Sequence, residues 1–108
     1  IPENTIHLNV SGDVLYNVNF DIGGFQFNID GDITSSASGG DASVAGFTVS
    51  ASGSTVLAFS FTGSVIASGC GTLTVLNLNG NPTGLSNIVF SSSAAQGSES
   101  IEVLYYQP

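Results

Sequence analysis

Neither lysine nor arginine occurs in the chain, so its eight carboxylates have no basic side chain but His7 to pair with, and the formal net charge is −8. That absence removes whole classes of partner. A phosphate backbone is held by Lys and Arg that displace its counterions, and an anionic lipid surface attracts the same residues, so neither nucleic acid nor an acidic membrane surface is an expected partner. Apolar runs are only a few residues long, far short of the roughly 20 that cross a bilayer, and no membrane insertion is expected. No basic segment precedes an apolar one, so Ile1 reads as a mature or trimmed start. Tryptophan is absent, and with it the broad flat ring on which carbohydrate-binding sandwiches commonly seat a sugar. Cys70 is the single cysteine, which excludes an internal disulfide framework and a cysteine zinc site. Set between glycines with no cation to stabilise a thiolate, it reads as a small packed side chain. Gly-x-Ser-x-Gly, His-Glu-x-x-His and Gly-x-Gly-x-x-Gly are all missing, so the chain is not expected to be an enzyme. The lack of lysine also strips the sheet edges of their usual guard, and Pro2, Pro82 and Pro108 lie outside the predicted strand centres. Such edges are either covered or used.

What remains is apolar and almost uncharged. Hydrophobic residues make up 42% and charged ones 7% of the 108 residues, the opposite of a disordered acidic tail. That length suits one domain burying about two thirds of its unfolded surface. Fourteen glycines, abundant Ser, Thr and Asn, and thrift with charge suit an extracellular or cell-surface protein.

Apolar residues recur with period two, the spacing of strands with one buried and one wet face. Ile6, Leu8 and Val10 share a phase, and Ser11-Gly12-Asp13 follows as a turn. Val14, Tyr16, Val18 and Phe20 mark a second strand, and Phe25, Phe27 and Ile29 a third. Residues 31–43 read as a long connection with a short strand at Ile33. Phe47 and Val49, then Leu57, Phe59 and Phe61, continue the alternation around a hairpin at Ala51-Ser52-Gly53-Ser54, and nearly all the phenylalanines fall in the inward phase. Leu73 and Val75 change phase with Leu76 and Leu78, which predicts a bulge or a strand covered on both faces. Ile88 and Phe90, then Ile101, Val103 and Tyr105, close the series. Eight to nine short strands with turns about every ten residues predict an all-β, two-sheet antiparallel sandwich. Residues 1–12 form an amino-terminal strand and residues 13–108 the sandwich proper.

Ile22-Gly23-Gly24-Phe25-Gln26-Phe27-Asn28-Ile29-Asp30 resembles the Gly-Phe-Gln strand of cohesin domains. Ser54 to Phe61 is similar to that family's central strand, Ser68-Gly69-Cys70-Gly71-Thr72-Leu73 to its Gly-x-Gly-x-Leu turn, and Leu85-Ser86-Asn87-Ile88-Val89-Phe90-Ser91 to its late Leu-x-Asn-Val-Val segment. The resemblance runs from about residue 6 to residue 104. It implies a jelly-roll-like sandwich of nine strands and binding of a helical, dockerin-type protein; the chain also resembles subunits of secreted microbial fibrils built from such sandwiches.

Two functions follow as expectations. The first is a structural subunit of an extracellular fibril, a homopolymer assembled head to tail as the strand Thr5, Ile6, His7, Leu8, Asn9 and Val10 of one copy completes a sheet of the next. The alternative is a cohesin-like module that binds a dockerin-type protein or a carbohydrate on an open sheet face. Asn28, Asp30 and Asp32 are the candidate ligands for a Ca²⁺ ion, since their spacing brings oxygens together where a strand ends in a turn. A wet strand face running into an Asp-Gly-Asp turn explains the same residues. Asn9-Val10-Ser11 is an N-glycosylation sequon, making Asn9 a candidate glycan acceptor. His7 reads as a surface histidine and Tyr106 as an exposed ring suited to a sugar or a subunit.

Overall fold

The alternation is realised as strands in the computed structural model, which describes residues 1–32, 34–93, 97 and 99–107. Ten strands and one short helix occur among them: β1 (Thr5–Leu8), β2 (Asp13–Val18), β3 (Ile22–Asp30), β4 (Thr34–Ser38), α1 (Gly40–Val44), β5 (Thr48–Ser52), β6 (Thr55–Phe59), β7 (Gly69–Leu78), β8 (Gly84–Ser92), β9 (Ser100–Ile101) and β10 (Leu104–Tyr105). They form two five-stranded sheets, β10-β1-β2-β7-β4 and β5-β6-β3-β8-β9. Every pairing is antiparallel except β1 with β10. The β-sandwich is thus as the alternation predicts, with ten strands against the eight to nine expected, because the last expected strand is divided into the very short β9 and β10.

The core lies between the sheets. Ile6, Val14, Tyr16, Val18, Leu73 and Leu76 come from the first sheet, and Phe25, Phe27, Ile29, Val56, Ala58, Leu85 and Phe90 from the second. On β6 the phase is the reverse of the sequence expectation. Val56 and Ala58 face inward, while Leu57 is exposed and Phe59 only partly covered. Side-chain volume decides this: Ala58 lies opposite Phe25 and Val56 opposite Phe27, and Phe25 stacks with Phe27, Phe47 and Phe90 at centroid separations of 5.5–6.4 Å. A core filled by these rings, at close-packed density, leaves room for methyl groups beside them and not for further rings.

Two irregularities shape the second sheet. The β3–β8 register shifts between Ile22 and Gly24, leaving Gly23 as the extra residue, and again between Gln26 and Asn28, where β8 carries the extra residue. Asn87, with φ 50°, lies in the second bulge; Asn tolerates the left-handed region better than other non-glycine residues. This bulge lets Leu85 and Phe90 both be buried while Val89 stays exposed. On β7, the shift opposite Val14 and Leu15 buries both Leu73 and Leu76, so the change of phase seen in the sequence is a bulge.

β1 is the second strand of its sheet, paired with β10 on one side and with all of Asn17 to Val14 on the other, and Ile6 is fully buried. The connection expected over residues 31–43 contains β4 and most of α1; the strand expected at Ile33 lies outside the described residues. Cys70 is not packed away but exposed within β7.

Candidate functional site

A groove of about 450 Å³ opens on the outer face of the β5-β6-β3-β8-β9 sheet. Its floor is the Gly23–Gly24 backbone. A Cβ on Gly23 would stand 2.6 Å from the Ser92 carbonyl oxygen, so the close approach of β3 to β8 at this bulge requires glycine. Gly24 follows on the outward phase and leaves a gap in the side-chain layer, between Phe59 and Ser91 in the cross-strand register. The next row is Leu57, Gln26 and Val89, in register on β6, β3 and β8.

The far wall is the loop between β6 and β7. Ile22 and Ile66 exchange backbone hydrogen bonds of 2.8 and 3.0 Å, which ties the loop to the start of β3, and Ile66 is buried. The Ser60 hydroxyl accepts from the backbone N–H groups of Thr62 and Ser64 at 3.2 and 3.0 Å, bracing the turn from within. Phe61 packs edge-on against Phe59 at 4.8 Å yet remains 81% exposed; Val89 is 47% and Leu57 40% exposed. Among the described residues, no charged one lines the groove. Full burial of such side chains is worth about 1.5–3 kcal/mol each relative to water, so this face forgoes stabilisation that a docked surface would return.

A second groove, of about 360 Å³, lies at the same end of the sandwich and shares Val65 with the first. Tyr16, Asp41 and Cys70 line it. The Tyr16 hydroxyl donates to Asp41 Oδ2 at 2.5 Å. Burial, and then the Asp41 carboxylate, push the Tyr16 phenol well above its ordinary pKa, so it is a fixed donor at neutral pH.

The candidate ligand oxygens singled out from the sequence each accept a hydrogen bond within the chain. Asn28 accepts from Thr55 Oγ1 at 3.3 Å on the outer face, Asp30 from Ser86 Oγ at 2.6 Å, and Asp32 from the Gly80 N–H at 2.7 Å. Among the described residues, no three His, Cys, Asp or Glu side chains converge as metal ligands. Asn9 Oδ1 accepts from the Ser11 and Asp13 backbone N–H groups, both at 3.0 Å, so the sequon asparagine shapes the β1–β2 turn beside the exposed Val10. His7 is only partly exposed: its Nδ1 bonds the Tyr106 carbonyl at 2.9 Å and its ring meets those of Tyr105 and Tyr106. His7 and Tyr106 thus secure the carboxyl-terminal strand, and neither ring stands clear of the body.

The groove itself goes unread in the sequence because both phases of Thr55 to Phe59 are apolar. The available signal is the phenylalanine density of β3, whose inward-facing partners on β6 are the small Val56 and Ala58. No family model matches the chain, and no curated protein or solved structure matches it.

Proposed function

We propose that this domain is a cohesin-like binding module, working outside the cell or on its surface, that docks a helical protein on the outer face of the β5-β6-β3-β8-β9 sheet. The observation that carries this reading is the uncharged groove with Leu57, Phe61 and Val89 standing in water around it. The three strands β6, β3 and β8 present a width of about 10 Å, close to the roughly 10–12 Å diameter of a helix with its side chains. Recognition of this kind seats the apolar stripe of an amphipathic helix in a groove. Aliphatic side chains suit such a stripe better than the flat face of a sugar. A fibril made by donating Thr5 to Val10 draws no support from the fold, since β1 would have to leave two filled ladders and expose Ile6.

The test begins with capture from the secreted proteins of the source and identification of the captured protein. Titration of that protein should then show affinity for L57D reduced by at least about tenfold, a loss of about 1.4 kcal/mol. A partner that binds L57D as well as the unaltered domain would place recognition elsewhere.

A further inference from the structure

The second groove differs from the first in carrying a charge. Val44, Ala45, Val65 and Ala67 give it apolar walls, and Val44 on α1 is 88% exposed. Among the described residues, its one carboxylate is that of Asp41, held through Oδ2 by the hydroxyl of the buried Tyr16. Gly71 makes room for this carboxylate, since a Cβ there would stand 2.8 Å from Asp41 Oδ2. Oδ1 accepts no hydrogen bond among the described residues. A further carboxylate stands close by: Asp21 Oδ1 accepts at 3.0 Å from the backbone N–H of Ser68, which also lines the groove. Neither finds a basic side chain within the chain, because Lys and Arg are absent and His7 is engaged with the Tyr106 carbonyl.

We infer that the second groove receives a basic side chain, lysine or arginine, from the helical protein docked on the first, its charged head bonded to Asp41 and its methylene stem lying along Val44 and Val65. The inference rests on the reading of the apolar groove as the docking face. Val65 belongs to both grooves, so a helix that crosses the loop between β6 and β7 meets both. A lone carboxylate among apolar walls suits such a side chain, whose stem covers apolar surface while its head stays with the charge. A calcium ion would need several converging oxygens instead. Hydrogen bonds between charged groups are stronger than neutral ones, and the Tyr16 hydroxyl already fixes the carboxylate, so little freedom is lost on binding. Charge also sets the sign of the partner. A domain of net charge −8 draws in a basic surface and opposes an acidic one, its own copies included.

n-Butylguanidinium chloride, the stem and head of an arginine side chain, tests the groove with no partner present. In amide NMR spectra of the whole chain it should shift Val44, Ala45 and Cys70 along one saturable curve in the millimolar range, while neutral n-butylurea should not. D41N keeps an acceptor for Tyr16 without the charge and should weaken this binding at least about tenfold. V44K, at an exposed position, supplies a competing ammonium group and should weaken it too, which keeps the test decisive if D41N disturbs folding. With the protein that the domain captures, D41N should lower affinity and flatten its salt dependence, whereas L57A, which changes no charge, should lower affinity and leave that dependence in place. An absence of saturable shifts, shifts that D41N and V44K leave unaltered, or a captured protein whose affinity D41N does not change would each overturn the inference and leave docking at Leu57 standing. A captured protein indifferent to L57A and L57D would instead overturn the groove reading beneath it.

Discussion

Tyr16 shows how one buried polar residue ties together two elements that the sequence leaves unconnected. Its ring belongs to the core face of β2, and its hydroxyl reaches Asp41 in α1, a helix that no hydrophobic periodicity announces. Burial and the Asp41 carboxylate raise the folded-state pKa, whereas an unfolded tyrosine ionises near pH 10. The folded chain thus holds this proton more tightly, so the stabilisation is complete below about pH 10 and is lost as pH rises toward the folded value. Urea midpoints measured from about pH 8 to about pH 11 should fall for the wild type and fall less for Y16F. Parallel curves would show that Tyr16 does not carry the decline.

At the scale of the strand, alternation predicts that β6 exists and where it lies, but volume settles which face it buries. Ala58 sits opposite Phe25 with almost no exposed surface, so A58L should overpack the core and cost about 1–3 kcal/mol. Removing the larger Leu57 by L57A should change stability by no more than about 0.5 kcal/mol. Denaturant unfolding of the two variants checks the pair, and the reverse order of effects would return Leu57 to the interior. The same distinction explains what was legible beforehand. Phe25-Gln26-Phe27-Asn28-Ile29 has one apolar phase and is read correctly; Thr55-Val56-Leu57-Ala58-Phe59 has two, and its orientation depends on Phe25 and Phe27, distant in the chain but opposite in the ladder. The bulge in β7 is legible because Leu73 and Leu76 cannot share a face of a regular strand. The groove is not, since its floor comes from Gly23 and Gly24 and its wall from a loop pinned by Ile66. The pairing of β1 with β10 joins the two ends of the chain, a contact that no local pattern encodes.

For the whole molecule, the missing cations govern how it responds to salt. With no Lys or Arg, added ions screen repulsion among carboxylates and weaken few attractions, so raising NaCl from low to physiological ionic strength should raise the melting temperature. A fall would contradict the charge argument. CaCl₂ at matched ionic strength should do no more than NaCl, because Asp30 and Asp32 already serve Ser86 and Gly80; extra stabilisation removed by D32N would restore the ion to Asn28, Asp30 and Asp32. One further consequence belongs to the parallel register of β1 and β10. Tension applied to the two ends would drag these neighbours past each other lengthwise, loading together the Leu104 N–H to Asn4 carbonyl, Tyr106 N–H to Ile6 carbonyl and His7 to Tyr106 bonds. A sandwich strung between two anchors would then resist in shear, as a clasp does, before any strand could peel away.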